Sequence, residues 1–204
     1  PPLPDRPGGP VPLRIAMIDG HPDPDMTRFG HAVAGAYAAG AEQGGHEVRL
    51  IRLADLAFPV LRSRHDWEQG APPPTVASVQ ADLQWAQHLV IVHPLWLGAE
   101  PALLKALLEQ VFRPGFAFPV GEPTLQGGLL KGRTARVIVT MGMPAFVYRT
   151  FYLSHSLKSL KRNILAFVGI SPTRETLIGN VEGIGADGRR DWLDRVRRLG
   201  ERGV

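Results

Sequence analysis

The sequence predicts an α/β protein: a five-stranded parallel sheet in the order 2-1-3-4-5, with helices on both faces. Three observations carry this. Short apolar runs recur five times, at Leu13–Ile18, His46–Leu53, Leu89–Val92, Ala135–Met141 and Thr173–Ile178. Segments of helical spacing separate them, and right-handed crossovers then make the strands parallel. The third run, Leu89-Val90-Ile91-Val92, is too short for a surface helix and lacks polar alternation, as expected of a strand buried on both faces.

Residues 1–12, PPLPDRPGGPVP, form a Pro/Gly tract expected to be extended or disordered, ahead of a single unit spanning 13–204. Turn formers from Asp19 to Asp25 end the first strand, and a helix is expected from Thr27 to Gln43, closed by Gly44-Gly45. In the second strand Val48 and Leu50 should share one face, with Arg49 and Arg52 opposite. Residues 54–74 read as a surface excursion, followed by a helix from Thr75 to Gln87. His93-Pro94 stops the third strand, and a helix begins near Glu100-Pro101. On it Leu104, Leu107, Leu108 and Val111 make one apolar face, with Lys105 and Glu109 off it. A long Gly/Pro-rich loop covers 113–133, of a length that usually carries function. Helices are expected from Thr150 to Phe167 and from Arg189 to Leu199.

Composition excludes several classes. The 204 residues are 44% hydrophobic and 21% charged, which suits an ordinary core. No cysteine is present, so disulfides, thiolate zinc sites and cysteine nucleophiles are out, and a reducing, cytoplasmic setting fits. No run is long or apolar enough for a membrane span, and no secretory leader is visible. The net charge of +4 comes largely from arginines near the C-terminus, interleaved with Asp191, Asp194 and Glu201. That describes a solvated helix face, and nucleic acid is not expected as a partner. The seven histidines show no metal spacing. Gly183 to Gly188 matches GxGxxG, but it lies last in the chain with no strand after it, so it reads as a glycine-rich loop.

The stretch VIVHPLWLGAEPALLKALLEQVFRPGFAF, 90–118, delivers a Trp-bearing apolar loop to a strand's carboxyl end, where open α/β sheets bind ligands. Pro94-Leu95-Trp96, Pro101-Ala102-Leu103-Leu104-Lys105, and Val111-Phe112 through Gly115-Phe116-Ala117 resemble the NAD(P)H:quinone oxidoreductase family, which includes DT-diaphorase and bacterial quinone reductases. The resemblance runs over roughly residues 13–183. It implies a flavodoxin-like fold, a flavin (FAD or FMN), NAD(P)H as co-substrate, a quinone-like acceptor and a homodimer. The concentration of Phe112, Phe116 and Phe118 points to a dimer surface as well.

The resemblance also assigns residues. The Pro94-Leu95-Trp96-Leu97 loop lies against the flavin ring; the family often carries an aromatic residue where Leu97 stands, so contact there falls to the backbone. His21, Thr27 and Phe29 match positions that hold the flavin phosphate, in a loop one or two residues longer here. Arg28 is an added cation there, or else a solvent-facing helix residue. Thr140-Met141-Gly142-Met143 stands where relatives have Thr-Thr-Gly-Gly, so Thr140, Gly142 and Met143 are expected beside the flavin. Tyr148 matches a tyrosine that bonds flavin or quinone and is the candidate proton donor. The family's partner histidine falls at Ser154; His155, one position on, either takes that part or is a surface residue.

A flavin-dependent two-electron oxidoreductase with ping-pong kinetics is the leading expectation. Its rivals are a regulatory flavoprotein subunit of a potassium efflux system and a flavodoxin-like electron carrier. Such carriers are typically acidic, unlike this chain.

Overall fold

The computed structural model describes residues 11–121 and 127–204. The tail expected to be disordered, apart from its last two positions, lies outside the described residues, as does the middle of the 113–133 loop. Five parallel strands form one sheet: β1 (Arg14–Asp19), β2 (Glu47–Arg52), β3 (His88–Pro94), β4 (Thr134–Thr140) and β5 (Thr173–Ile178). Their order is β2-β1-β3-β4-β5, as expected from the sequence. The helices are α1 (Phe29–Gln43), α2 (Arg64–Glu68), α3 (Pro74–Trp85), α4 (Ala102–Val111), α5 (Ala145–Thr150), α6 (His155–Ser159) and α7 (Gly185–Glu201).

Strand alternation divides the core in two. Ile15 and Met17 of β1, with Val90 and Val92 of β3, face α1 and α7. Ala16, Ile18, Leu89 and Ile91 face α3 and α4 on the other side. β3 is buried along its whole length because it sits mid-sheet between two helical layers. Leu104, Leu107, Leu108 and Val111 of α4 are essentially inaccessible, and each such burial is worth about 1.5–3 kcal/mol. Lys105 and Glu109 pair outside, as the helical spacing requires. α1 and α7 touch backbone to backbone: a Cβ on Gly40 would lie 2.0 Å from the Arg197 carbonyl oxygen, and one on Gly200 2.2 Å from that of Tyr37.

Four details refine or correct the sequence reading. β3 runs past the apolar run through His93 to Pro94, which pairs with Thr140 and is the strand's last residue. On the edge strand β2, Val48 packs against the α1 and α7 side and Ile51 is buried on the other, while Leu50 is 47% exposed. Phe112 and Phe118 are buried in the core with Phe116 packed against them, so they offer no dimer surface. The single helix expected over 150–167 is broken into α5, α6 and a π-helical turn at Leu160–Leu165. Leu153 and Ser154, both at φ 50°, make the break; left-handed geometry at two successive non-glycine residues stops a right-handed helix.

Candidate functional site

The loops after β1, β3, β4 and β5 meet at the carboxyl edge of the sheet, where the chain's direction across the sheet reverses. They enclose a cleft of ≈ 610 Å³, ample for a cofactor-sized ligand. Backbone bonds tie the rim together: Gly20 N–H donates to Val92 O (2.7 Å), Leu95 N–H to Thr140 O (2.8 Å), and Val181 N–H to Met141 O (3.2 Å).

The β3 loop is a tight turn. Trp96 and Ala99 exchange both backbone hydrogen bonds, at 2.9 and 3.0 Å, around Leu97 (φ 48°) and Gly98 (φ 82°). Two successive positive φ values are the signature of a type I′ turn, which glycine and asparagine favour and leucine does not. Trp96 is 47% exposed on the cleft wall and Leu97 is fully exposed at the tip. A half-exposed indole on a concave surface is a π-face awaiting a flat partner.

The β1 loop continues the lining beside it. The cleft there is lined by His21, Asp23 and the run from Thr27 to Gly30, where α1 begins. No side chain caps α1 and no acidic residue occupies its first turn, so its dipole is left to an incoming anion. Arg28 is held by Asp23 (Nε to Oδ2, 2.8 Å) and lies 3.5 Å from Asp25. Asp25 Oδ1 accepts from both the amide (3.0 Å) and the hydroxyl (2.8 Å) of Thr27. These bonds hold both carboxyl groups below the usual range: Asp23 through the Asp25 amide and then Arg28, Asp25 through Thr27. Burial, reinforced by the neighbouring His31, holds the His21 imidazole below its ordinary range, so it stands neutral.

From β4, Thr140, Met141 and Gly142 line the cleft. The Met141 amide is already spent on Ile178 O (2.9 Å), so the exposed Gly142 is the first residue of this loop open to a ligand. His93 beneath is fully buried, and burial keeps it neutral; its Nδ1–H donates to Pro94 O at 2.9 Å, a structural role.

Of the residues singled out from sequence, the structure brings together His21, Thr27, Arg28, Phe29, Pro94, Leu95, Trp96, Thr140 and Gly142 on this one cleft. Leu97, Met143, Tyr148 and His155 are not among its lining. Tyr148 is buried, its hydroxyl 2.7 Å from Ser156 Oγ and accepting from Leu157 N–H at 3.2 Å. Its hydroxyl therefore serves the start of α6, and Tyr148 is not among the residues that line the cleft. His155 lies exposed on α6. Sequence reading did not assign Asp23, Gly30, Met141, Val181, Glu182 and Arg189 to the lining, nor the buried pair Asp19 and His31 behind it. The glycine-rich stretch at 183–188 was the available signal for Val181, Glu182 and Arg189, which flank it. Among the described residues no cluster of His, Cys, Asp and Glu is arranged to hold a metal, and no helix is long and apolar enough to cross a membrane.

The donor set fits a flavin. An uncapped helix start, a hydroxyl and arginine side chains suit a phosphate, while Trp96 on the same cleft suits an aromatic ring. A ligand cleft at the switch point of a parallel 2-1-3-4-5 sheet defines the flavodoxin class of α/β proteins. The chain belongs to the family described as having a flavodoxin-like fold, which matches residues 14–199. It is 26% identical over 184 residues to an uncharacterized NAD(P)H oxidoreductase of Haemophilus influenzae, covering 87% of this chain and 89% of that one. An NAD(P)H:quinone oxidoreductase from Methanothermobacter marburgensis superposes with a TM-score of 0.79 at 22% identity, over 94% of this chain and 96% of that one. An FMN-dependent NADH-azoreductase from Bacillus anthracis superposes with a TM-score of 0.70 at 19% identity, over 92% and 97%.

Proposed function

We propose that this protein is a flavin-dependent NAD(P)H oxidoreductase that passes two electrons to a quinone or a similar small electrophile, with FMN as the flavin. The observation that carries it is that Trp96 and the start of α1 line one cleft: a ring platform and a phosphate site together. FMN is supported by a phosphate site with a single uncapped helix start and by the FMN-dependent azoreductase of like fold. When bound, the flavin supplies hydride acceptance from NAD(P)H and hydride donation to the acceptor.

The chain's own part is binding and orientation. Thr27, Arg28 and the first turn of α1 hold the phosphate. Trp96 and the buried Pro94 flank the ring, and the exposed Gly142 lets backbone approach its polar edge. Leu97, Phe146, Phe151, Tyr152 and Leu153 expose apolar side chains outside the cleft, a surface that suits a second copy of the chain. The test is a fluorescence titration of the flavin-free protein with FMN, FAD and riboflavin. FMN should bind tightest and riboflavin at least about tenfold more weakly, for want of the phosphate's charge-assisted hydrogen bonds. Equal affinity for riboflavin and FMN would remove the phosphate site, and no quenching by any of the three would remove the flavin.

A further inference from the structure

Behind the cleft wall lies a pair of buried side chains that the flavin assignment does not use. Asp19 ends β1 and His31 sits in the first turn of α1; their side chains are 3% and 1% exposed. Asp19 Oδ2 lies 2.5 Å from His31 Nδ1, and the other ring nitrogen, Nε2, lies 2.8 Å from the backbone carbonyl of Asp23. Asp19 Oδ1 accepts from the His21 amide at 3.3 Å, and the Asp23 amide donates to His21 Nδ1 at 3.2 Å. The rings of His21 and His31 are 5.1 Å apart. A Cβ on Gly30 would come within 3.2 Å of the His21 ring, so glycine there admits this packing.

The proton inventory follows from the partners. Both ring nitrogens of His31 face acceptors, a carboxylate and a carbonyl. An imidazole with one ring proton satisfies only one of them and leaves the other acceptor without a donor. The pair is satisfied by an imidazolium beside a carboxylate, or by the same proton shared across the 2.5 Å contact. His21 Nδ1, by contrast, accepts an amide hydrogen, which leaves Nε2–H as the ring's donor.

We infer that Asp19 and His31 form a proton-loaded staple that pins the start, tip and end of the cofactor loop and so fixes His21 as a neutral hydrogen-bond donor on the cleft wall. His31 reaches from α1 to Asp23 at the tip, while Asp19 holds the loop's first turn through the His21 amide. Both act through the loop and through His21, so both are positioning residues. Burial first, and then the neighbouring His31 with its ring centroid 5.1 Å away, keep His21 from becoming a second cation. Its bearing on flavin affinity rests on the function proposed above; its bearing on loop order does not.

Two kinds of measurement separate these. In the flavin-free wild type, ¹⁵N-detected NMR of the imidazoles at neutral pH should show hydrogen on both His31 nitrogens and only on Nε2 of His21. Hydrogen exchange at the Asp23 amide should accelerate about tenfold or more in His31→Leu and in His31→Gln, neither of which bridges both acceptors. Asp19→Asn is the conservative rescue: its amide donates to His31 Nδ1, and the ring keeps Nε2–H for Asp23. In that variant His31 should lose one ring proton while Asp23 exchange stays within about threefold of wild type. FMN should bind about tenfold more weakly to the His31 variants and within about threefold of wild type to Asp19→Asn. A wild-type His31 with a single ring proton, or His31 variants with wild-type exchange, would overturn the staple. A wild type that shows the staple yet binds no FMN would overturn the flavin assignment alone.

Discussion

The ring of Trp96 meets the ring of His21 edge-on, with centroids 5.7 Å apart and planes at 84°. This contact joins the loops after β1 and β3, which carry the proposed phosphate and ring sites, into one wall. Trp96→Ala removes both the ring platform and the edge contact with His21. FMN affinity should fall by about tenfold or more, with the fold intact because the side chain is half exposed. Fluorescence titration measures the first and far-UV circular dichroism the second; undiminished affinity would exclude Trp96 from the site.

Leu97 is the strained residue of the same turn. Leu97→Asn suits its positive φ and should raise stability by about 0.5–1 kcal/mol while leaving FMN binding unchanged. If the exposed leucine contacts a second subunit, as proposed, the same variant should weaken self-association. Denaturant unfolding and sedimentation velocity check the two effects independently.

Tyr148 separates the expectation drawn from family resemblance from the structure. A proton donor to quinone should lose the acceptor half-reaction when its hydroxyl is removed. In the structure that hydroxyl instead accepts from the buried Leu157 amide. Tyr148→Phe should therefore cost about 1–3 kcal/mol of stability and leave both half-reactions at wild-type rates. Slow acceptor reduction with unchanged stability would restore the donor role.

His88 should govern part of the acid limb of stability. It is buried at the start of β3 with Nδ1 2.6 Å from Thr134 Oγ1 and Nε2 unpaired, and burial lowers it from 6.5 to about 4. The folded state thus binds fewer protons than the unfolded state between these values, so stability falls as pH drops from 6.5 toward 4. His88's share of that loss is about 3 kcal/mol. Urea unfolding of wild type and His88→Asn at pH 7 and pH 5 should show the variant losing less. Identical losses would remove His88 from the acid response.

Much of this was legible in the chain. The strand order, the apolar face of α4 and the cofactor-side loops all follow from local patterns: β-branched runs, helical spacing, and turn formers at strand ends. What escaped needs three-dimensional closure. Asp19 and His31 are ordinary residue types twelve positions apart, and only the angle between β1 and α1 joins them. Tyr148 was placed by counting along the chain, but its hydroxyl's partners, Ser156 and Leu157, follow the left-handed pair Leu153 and Ser154, which no propensity marks. Glu182 and Arg189 reach the cleft because the segment after β5 folds back on the β4 loop through Val181, a long-range pairing without local signature.

Double-mixing stopped-flow absorbance on the FMN-loaded protein without oxygen tests the proposed activity most directly. NADH or NADPH should bleach the flavin band in the first mix, and a quinone should restore it in the second, each at a rate compatible with turnover of about 1–10³ s⁻¹. A protein that binds FMN yet is bleached by neither nicotinamide would contradict oxidoreductase function and favour an electron carrier or a regulatory flavoprotein.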